Sequence, residues 1–166
     1  MMLGNDRSGS ADRWVFRLAL MALLVAVLPM LGACGGQDAA GGASDGGITV
    51  REAWLRPAPA GGSTAAYMVL VNEGATDVRL LGVGFPDAER VEIHETVMEG
   101  DIARMVHRAE GLLLPAGSQT ELAPMGKHVM IVDLARPIED GASETLVLRF
   151  EQAGAMEIDA QVRLGP

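Results

Sequence analysis

Two histidine–methionine pairs are the residues of this chain whose types and spacing are best suited to chemistry. His128 and Met130 are two positions apart, so an extended backbone points both side chains to the same face. His94 and Met105 form the second pair. Imidazole and thioether are soft ligands, and soft sulfur selects Cu(I), whereas carboxylate oxygens suit magnesium or calcium. The four residues therefore predict a soft metal site, provided that the fold brings the two pairs together.

A predicted β-hairpin creates the second pair. We expect strands at Arg90–Met98 and Asp101–Arg108, with Glu99–Gly100 as a two-residue loop. His94 then falls directly opposite Met105, with Cβ atoms roughly 4.5–5.5 Å apart. The same register predicts four further cross-strand pairs: Val97 with Ile102, Glu95 with Arg104, Ile93 with Val106, and Glu92 with His107.

The remaining histidine and two further methionines are weaker candidates. We interpret His107 as a solvated residue or as a partner that orients a ligand. Met98 and Met125 could add sulfur near the site, although packing or a place on its rim is the stronger interpretation. Methionine also fills irregular interiors well, so Met105 and Met130 could each be core residues.

The acidic composition limits the classes of partner. The 166 residues contain 22 acids and 13 bases, a formal net charge of −9. Two acids and three bases precede Cys34, which leaves 20 acids, 10 bases and a net charge of −10 for the remainder. Nucleic-acid binding needs a basic footprint, so this surface argues against it. Such acidity keeps a domain soluble and weakly favours cationic partners.

The N-terminal segment predicts export to the bacterial cell envelope. A basic stretch that includes Arg17 precedes the apolar run Leu18–Leu31, which has the length of a signal-peptide core. Leu-Gly-Ala before Cys34 resembles the bacterial lipobox, whose cysteine is lipidated and becomes the mature N-terminus. We predict a lipoprotein signal peptide over residues 1–33 and a lipid anchor at Cys34 facing the periplasm. The alternative is an ordinary signal peptide with an incidental cysteine.

Cys34 is the only cysteine, and this excludes several chemistries. No intrachain disulfide is possible, and a lipidated Cys34 leaves no thiolate for a nucleophile, a zinc–thiolate site or a blue-copper centre. The chain also lacks the G-x-S-x-G, HExxH and P-loop motifs of common hydrolases. We predict that the protein is not an enzyme.

The segment after Cys34 divides into a tether and a domain. Residues 34–47 are rich in glycine and predict a flexible tether. Residues 48–166 predict one all-β domain, because short apolar stretches alternate with turn residues. The clearest predicted strands are Ala65–Val71, Val78–Val83, Thr145–Phe150 and Met156–Leu164. We expect a β-sandwich or barrel with Greek-key connections.

At residues 48–164 the chain resembles the periplasmic copper chaperones of the PCuAC family. The family pattern is a histidine, ten residues, a methionine, about twenty-one residues, then His-x-Met. Here ten residues separate His94 from Met105, and twenty-two separate Met105 from His128, which begins His-Val-Met. Similar flanking stretches are Ala53–Pro57, Ala65–Tyr67, Val91–Glu95 and Leu113–Gly117.

This resemblance implies a fold, a ligand set and a role. It implies a cupredoxin-like β-barrel that binds Cu(I) through His94, Met105, His128 and Met130. It also implies delivery of copper to the copper centres of cytochrome c oxidase, often alongside a second, thiol-bearing copper chaperone. The alternative is a membrane-tethered lipoprotein whose β-sandwich binds other proteins and uses the methionines as core.

Overall fold

The computed structural model describes residues 43–45 and 47–165, so the predicted signal peptide and Cys34 lie outside the described residues. Eleven β-strands and no helix run through this part of the chain. The strands are β1 (Ala43–Asp45), β2 (Ile48–Leu55), β3 (Thr64–Asn72), β4 (Val78–Gly84), β5 (Ala88–Glu99), β6 (Ile102–His107), β7 (Leu112–Leu114), β8 (Ser118–Leu122), β9 (Lys127–Leu134), β10 (Ser143–Phe150) and β11 (Gly154–Val162). The predicted all-β class is confirmed, and no helix in the described residues is long and apolar enough to cross a membrane.

The strands alternate between buried and exposed positions, as their sequences predict. In β11 every second residue from Met156 to Val162 is buried, while the residues between them are exposed. The same period appears in β10. Each of these strands therefore turns one apolar face to the core and one polar face to water, which is the pattern of a half-buried sheet.

The order of the strands in the sheet brings distant parts of the chain together. The main path runs β6-β5-β9-β3-β2-β11-β10-β4-β7, with β1 attached to β2 and β8 attached to β3. Of the pairings, only β2 with β11 is parallel among the described strands. Strand β5 thus lies between its hairpin partner β6 and the distant strand β9. This arrangement places three consecutive strands, β6, β5 and β9, side by side beneath the candidate ligands.

The folded part begins before the predicted domain boundary at residue 48. Strand β1 (Ala43–Asp45) lies within the predicted tether and pairs antiparallel with β2. Its register joins Ala43 to Val50 and Asp45 to Ile48. Residues 34–42 and residue 46, which complete the predicted tether, lie outside the described part of the chain.

The predicted register of the β5–β6 hairpin is wrong by two residues. Glu99 pairs with Ile102, so the loop is Gly100–Asp101 and not Glu99–Gly100. A type II′ turn needs glycine at the first loop position, where φ is positive. Gly100 has a φ of 65° and meets that need, whereas the predicted loop would place a glutamate there.

The corrected register changes each partner but keeps each side chain on its predicted face, because the shift is an even number of residues. The six pairs in the structure are His94 with His107, Glu95 with Val106, Thr96 with Met105, Val97 with Arg104, Met98 with Ala103, and Glu99 with Ile102. The predicted direct opposition of His94 and Met105 is therefore wrong, as are the predicted partners of Glu92, Ile93, Glu95 and Val97.

Candidate metal centre

Three histidines lie side by side across strands β6, β5 and β9. His94 on β5 is directly opposite His128 on β9 and directly opposite His107 on β6. Directly opposed residues of neighbouring strands point to the same face. The ring centroids are 5.9 Å apart for His94 and His128, and 5.5 Å apart for His94 and His107. We call these three residues the histidine row.

The histidine row runs from the interior to the edge of the sheet. His128 is 6% exposed, and the side chain of His94 is 16% exposed. His107 lies on β6, where all six residues are exposed. The inner two imidazoles are therefore shielded from water, while the outer one is open to a partner.

Both candidate methionines lie on the same face as the histidine row. Met130 is two residues from His128 on β9, and Met105 is two residues from His107 on β6, so strand alternation gives each pair a common face. Met105 is a diagonal neighbour of His94, at a Cα distance of roughly 7–8 Å. The structure thus brings the two predicted pairs onto one face of adjacent strands, with Met105 on the outermost strand.

One nitrogen of His94 is held by a carboxylate and the other is free. Nε2 lies 3.0 Å from Oε2 of Glu92, which shares the same face of β5. Nδ1 is buried, and none of the described residues offers it a hydrogen-bond partner. A carboxylate on the far nitrogen fixes the tautomer and orientation of a metal-binding imidazole. Nδ1 of His94 is therefore the atom that we expect to face a metal ion.

His128 is oriented by the turn before β9. Its Nδ1 lies 3.1 Å from the carbonyl oxygen of Gly126. An Nδ1–H that donates to this carbonyl leaves the lone pair on Nε2 available. The turn is closed by the amide of Gly126, which donates to the carbonyl of Ala123 at 3.0 Å, and Met125 within it has a φ of 64°. This turn fixes which nitrogen of His128 can bind a metal.

Aromatic residues continue the row into the domain. The ring of Tyr67 on β3 lies 6.4 Å from that of His128, and Trp54 on β2 lies 4.5 Å from Tyr67. Arg163 stands over Trp54 at 5.0 Å. Trp54 and Tyr67 are both buried. Tyr67 backs the imidazole of His128, and Trp54 packs behind Tyr67. Neither Trp54 nor Tyr67 was predicted from the sequence to belong to the site.

A charged cluster occupies the opposite face of the same strands. Glu95 forms ion pairs with Arg108 and, at 3.7 Å, with Lys127. The hydrogen bond from Arg108 is the main cause that lowers the pKa of Glu95, and burial opposes it. Because residues alternate along β5, this carboxylate points away from the histidine row. Glu92 is therefore the carboxylate of β5 that contacts His94.

The spacing and types of these groups fit a soft metal ion. Metal–imidazole bonds are about 2.0–2.1 Å for zinc, so two rings on one ion of similar size have centroids roughly 5–6.5 Å apart. Both distances in the histidine row fall in this range. In the described residues, no group of three or more His, Cys, Asp or Glu side chains is placed to hold a metal ion. The candidate set differs from such a group because it includes thioethers.

Glu92 gives a first test of this geometry. Replacing Glu92 with glutamine removes the carboxylate that orients His94, so we expect the affinity for the predicted Cu(I) ion to fall about tenfold. Competition against a Cu(I) chelator measures this change. Glu89→Gln on the exposed start of β5 is the matched control and should keep the wild-type affinity. An unchanged affinity in Glu92→Gln would contradict an orienting role.

Comparison with known proteins shows the family of the chain. A family model described as "Putative lipoprotein LpqE-like" matches residues 48–162. The chain belongs to the LpqE-like family. A relative named "Putative lipoprotein Lxx21020", from Leifsonia xyli subsp. xyli (strain CTCB07), is 32% identical over 117 residues, which cover 70% of each chain.

Solved structures similar to this LpqE-like chain are PCuAC domains and a protein of Deinococcus radiodurans. The copper-bound PCuAC domain from PmoF2 is 31% identical, with a TM-score of 0.61, and the match covers 75% of this chain and 98% of that domain. Apo-DR1885 from Deinococcus radiodurans is 29% identical, with a TM-score of 0.55, and the match covers 82% and 90%. The predicted cupredoxin-like fold and the likeness to PCuAC domains are confirmed, while the ligand residues stay a prediction.

Proposed function

We propose that this LpqE-like protein is a copper carrier that holds one Cu(I) ion on the face of β5, β6 and β9. The observation that carries the proposal is the cross-strand pair of His94 and His128. Their rings are 5.9 Å apart, and Nδ1 of His94 is buried without a hydrogen-bond partner among the described residues. A buried polar atom without a partner is costly, and a metal ion that accepts its lone pair removes that cost. The copper-bound PCuAC domain from PmoF2 supports the choice of metal.

The proposed ligands are His94, Met105, His128 and Met130. All four are neutral, so the bound ion keeps its positive charge within a chain of net charge −9. Thioethers favour Cu(I) over harder Cu(II). Without a thiolate, the ion is held less tightly than in a cysteine cluster, which suits a carrier that must release its cargo. We propose carriage and release, and not catalysis, as the task of this site.

The proposed cellular role is delivery of copper outside the cytoplasm. In this proposal a lipid on Cys34 tethers the domain to a membrane of the cell envelope, facing the periplasm. The copper centres of cytochrome c oxidase receive the ion, with or without a second thiol-bearing chaperone. The exposed position of Met105, at 62%, supports this role, because an acceptor can displace an exposed ligand first.

Metal titration of the domain from Ala43, which includes β1, tests the proposal. We expect one tightly bound Cu(I) per protein, with sulfur and nitrogen scattering in X-ray absorption, and no stoichiometric Zn(II). A lipoprotein that only binds other proteins through its β-sandwich would bind neither ion. Absence of Cu(I) binding by a folded sample would therefore overturn the carrier proposal.

Trp54 gives a spectroscopic prediction for the same site. It is the only tryptophan after Cys34, and it reaches His128 through Tyr67. We expect Cu(I) bound between His94 and His128 to change the emission of Trp54 and to saturate at a single equivalent. Fluorescence titration measures this change. Emission that stays constant while one Cu(I) binds would place the ion elsewhere in the protein.

A further inference from the structure

The hairpin strand β6 repeats, on the other side of β5, the arrangement of ligands on β9. Each strand has a histidine directly opposite His94, namely His107 on β6 and His128 on β9. Each also has a methionine two residues away on the same face, Met105 or Met130. The two methionines lie toward opposite ends of β5. His94 is thus the shared centre of two sets, each with a second imidazole and a thioether.

The distances within the two sets are alike. The ring of His94 is 5.5 Å from that of His107 and 5.9 Å from that of His128. Both values fit two imidazoles on one metal ion, for which about 5–6.5 Å is expected. In the described residues, no group of three or more His, Cys, Asp or Glu side chains is placed to hold one metal ion. The row instead offers two neighbouring pairs of rings, His94 with His107 and His94 with His128.

We propose that His94, Met105 and His107 form an outer Cu(I) position that passes the ion to the inner position at His94, His128 and Met130. This inference rests on the proposed copper carriage. Nε2 of His94 is occupied by a carboxylate, so only Nδ1 can bind metal. One nitrogen cannot serve both positions at once, and the protein therefore holds one ion and not two.

The outer position lies where a partner can reach it. β6 ends the main path of the sheet, and all its residues are exposed. The amide of Arg108 donates to the carbonyl of Ile93 at 2.8 Å, and hydrogen-bonded pairs alternate along an antiparallel ladder. The backbone N–H and C=O groups of Ala103, Met105 and His107 therefore point away from β5. Copper brought by a partner meets Met105 and His107 before it meets the buried His128.

Transfer between the two positions is an exchange of ligands without any change in oxidation state. In this proposal His94 and Met105 hold the ion throughout: His94 is directly opposite both His107 and His128, and Met105 belongs to the four-ligand set proposed above. The bond from His107 breaks as the bonds from His128 and Met130 form. The ion remains Cu(I), and no electron or proton moves.

The decisive variant removes the inner ligands. We expect a His128→Ala, Met130→Leu double variant to bind one Cu(I), with affinity within about 100-fold of wild type, and to leave Trp54 emission unchanged. Adding His107→Ala should abolish stoichiometric binding. Wild-type protein that binds no Cu(I) would defeat the carrier proposal itself. If the wild type binds Cu(I) and the folded double variant binds none, only the outer position is contradicted. Stoichiometric Cu(I) binding by the triple variant would contradict the outer position as well.

A second measurement leaves the inner ligands intact. We expect His107→Gln to reach the same final Cu(I) content as wild type but to load at least about tenfold more slowly from a Cu(I)–bicinchoninate complex. The matched control is Arg104→Gln, which is on the same exposed strand but on its other face. Equal loading rates for wild type and both variants would contradict the outer position.

Discussion

Replacing His94 and His128 together with alanine should lower the affinity for Cu(I) by more than about 100-fold, since loss of even an outer partner of a ligand costs 10–100-fold. The two imidazoles supply both nitrogen ligands of the proposed site. They are also its best-shielded groups, at 16% side-chain exposure for His94 and 6% exposure for His128. Competition with a Cu(I)-specific chelator measures the affinity, and X-ray absorption reports whether nitrogen scattering disappears.

The control must separate loss of ligands from loss of fold. His128 is buried and its Nδ1 contacts the carbonyl of Gly126, so its removal costs about 1–2 kcal/mol of unfolding free energy. The circular dichroism spectrum and the amide NMR spectrum of the variant must match those of the wild type before the two Cu(I) affinities are compared. A folded double variant with wild-type affinity would show that copper binds elsewhere.

The sulfur ligands allow a cleaner version of the same experiment. Met105→Leu with Met130→Leu keeps most of the side-chain volume while removing both thioethers. We expect a loss of sulfur scattering and of affinity, with little change in stability. The matched control replaces the exposed Met98 and Met125 with leucine, and it should leave copper binding unchanged.

Local patterns in the sequence predicted the strands and the faces of the candidate ligands. Alternation in β11 and the His-Val-Met spacing in β9 depend only on neighbouring residues, and a strand has a fixed period of two. The predicted face of His94 and Met105 was correct although the predicted register was wrong, because a shift of two residues leaves each side chain on the same face. The spacing of two between Glu92 and His94 also predicts that their side chains share a face of β5, which is the basis of their contact.

The histidine row could not be predicted in the same way. It requires the pairing of β5 with β9, whose residues His94 and His128 are 34 positions apart and meet only in the folded sheet. It also requires the hairpin register, which depends on whether Gly100 or Glu99 occupies the first loop position. Turn chemistry determines the hairpin register, since only glycine takes positive φ at the first loop position without strain. The pairing of β5 with β9 depends on the packing of the whole domain.

Gly111 should be the most sensitive position of the connection that anchors β6. It follows β6, and its amide donates to the carbonyl of Arg108 at 2.9 Å, which closes the turn into β7. Its φ is 76°, and a Cβ placed on it would lie 2.1 Å from the carbonyl oxygen of Leu80 on β4. That oxygen belongs to the backbone of a strand and cannot turn aside as a flexible side chain would.

We expect Gly111→Ala to lower the free energy of unfolding by about 2–5 kcal/mol, from about 1–2 kcal/mol for left-handed backbone and about 1–3 kcal/mol for overpacking. Gly141→Ala is the matched control, because Gly141 has a φ of 83° but no atom within 4 Å of its added Cβ. In the control, the free energy of unfolding should fall only by the cost of left-handed backbone. Urea denaturation of both variants measures the difference, which isolates the contact with Leu80. Equal losses would mean that β4 yields to the methyl group, and that this strand does not hold the turn behind β6 in place.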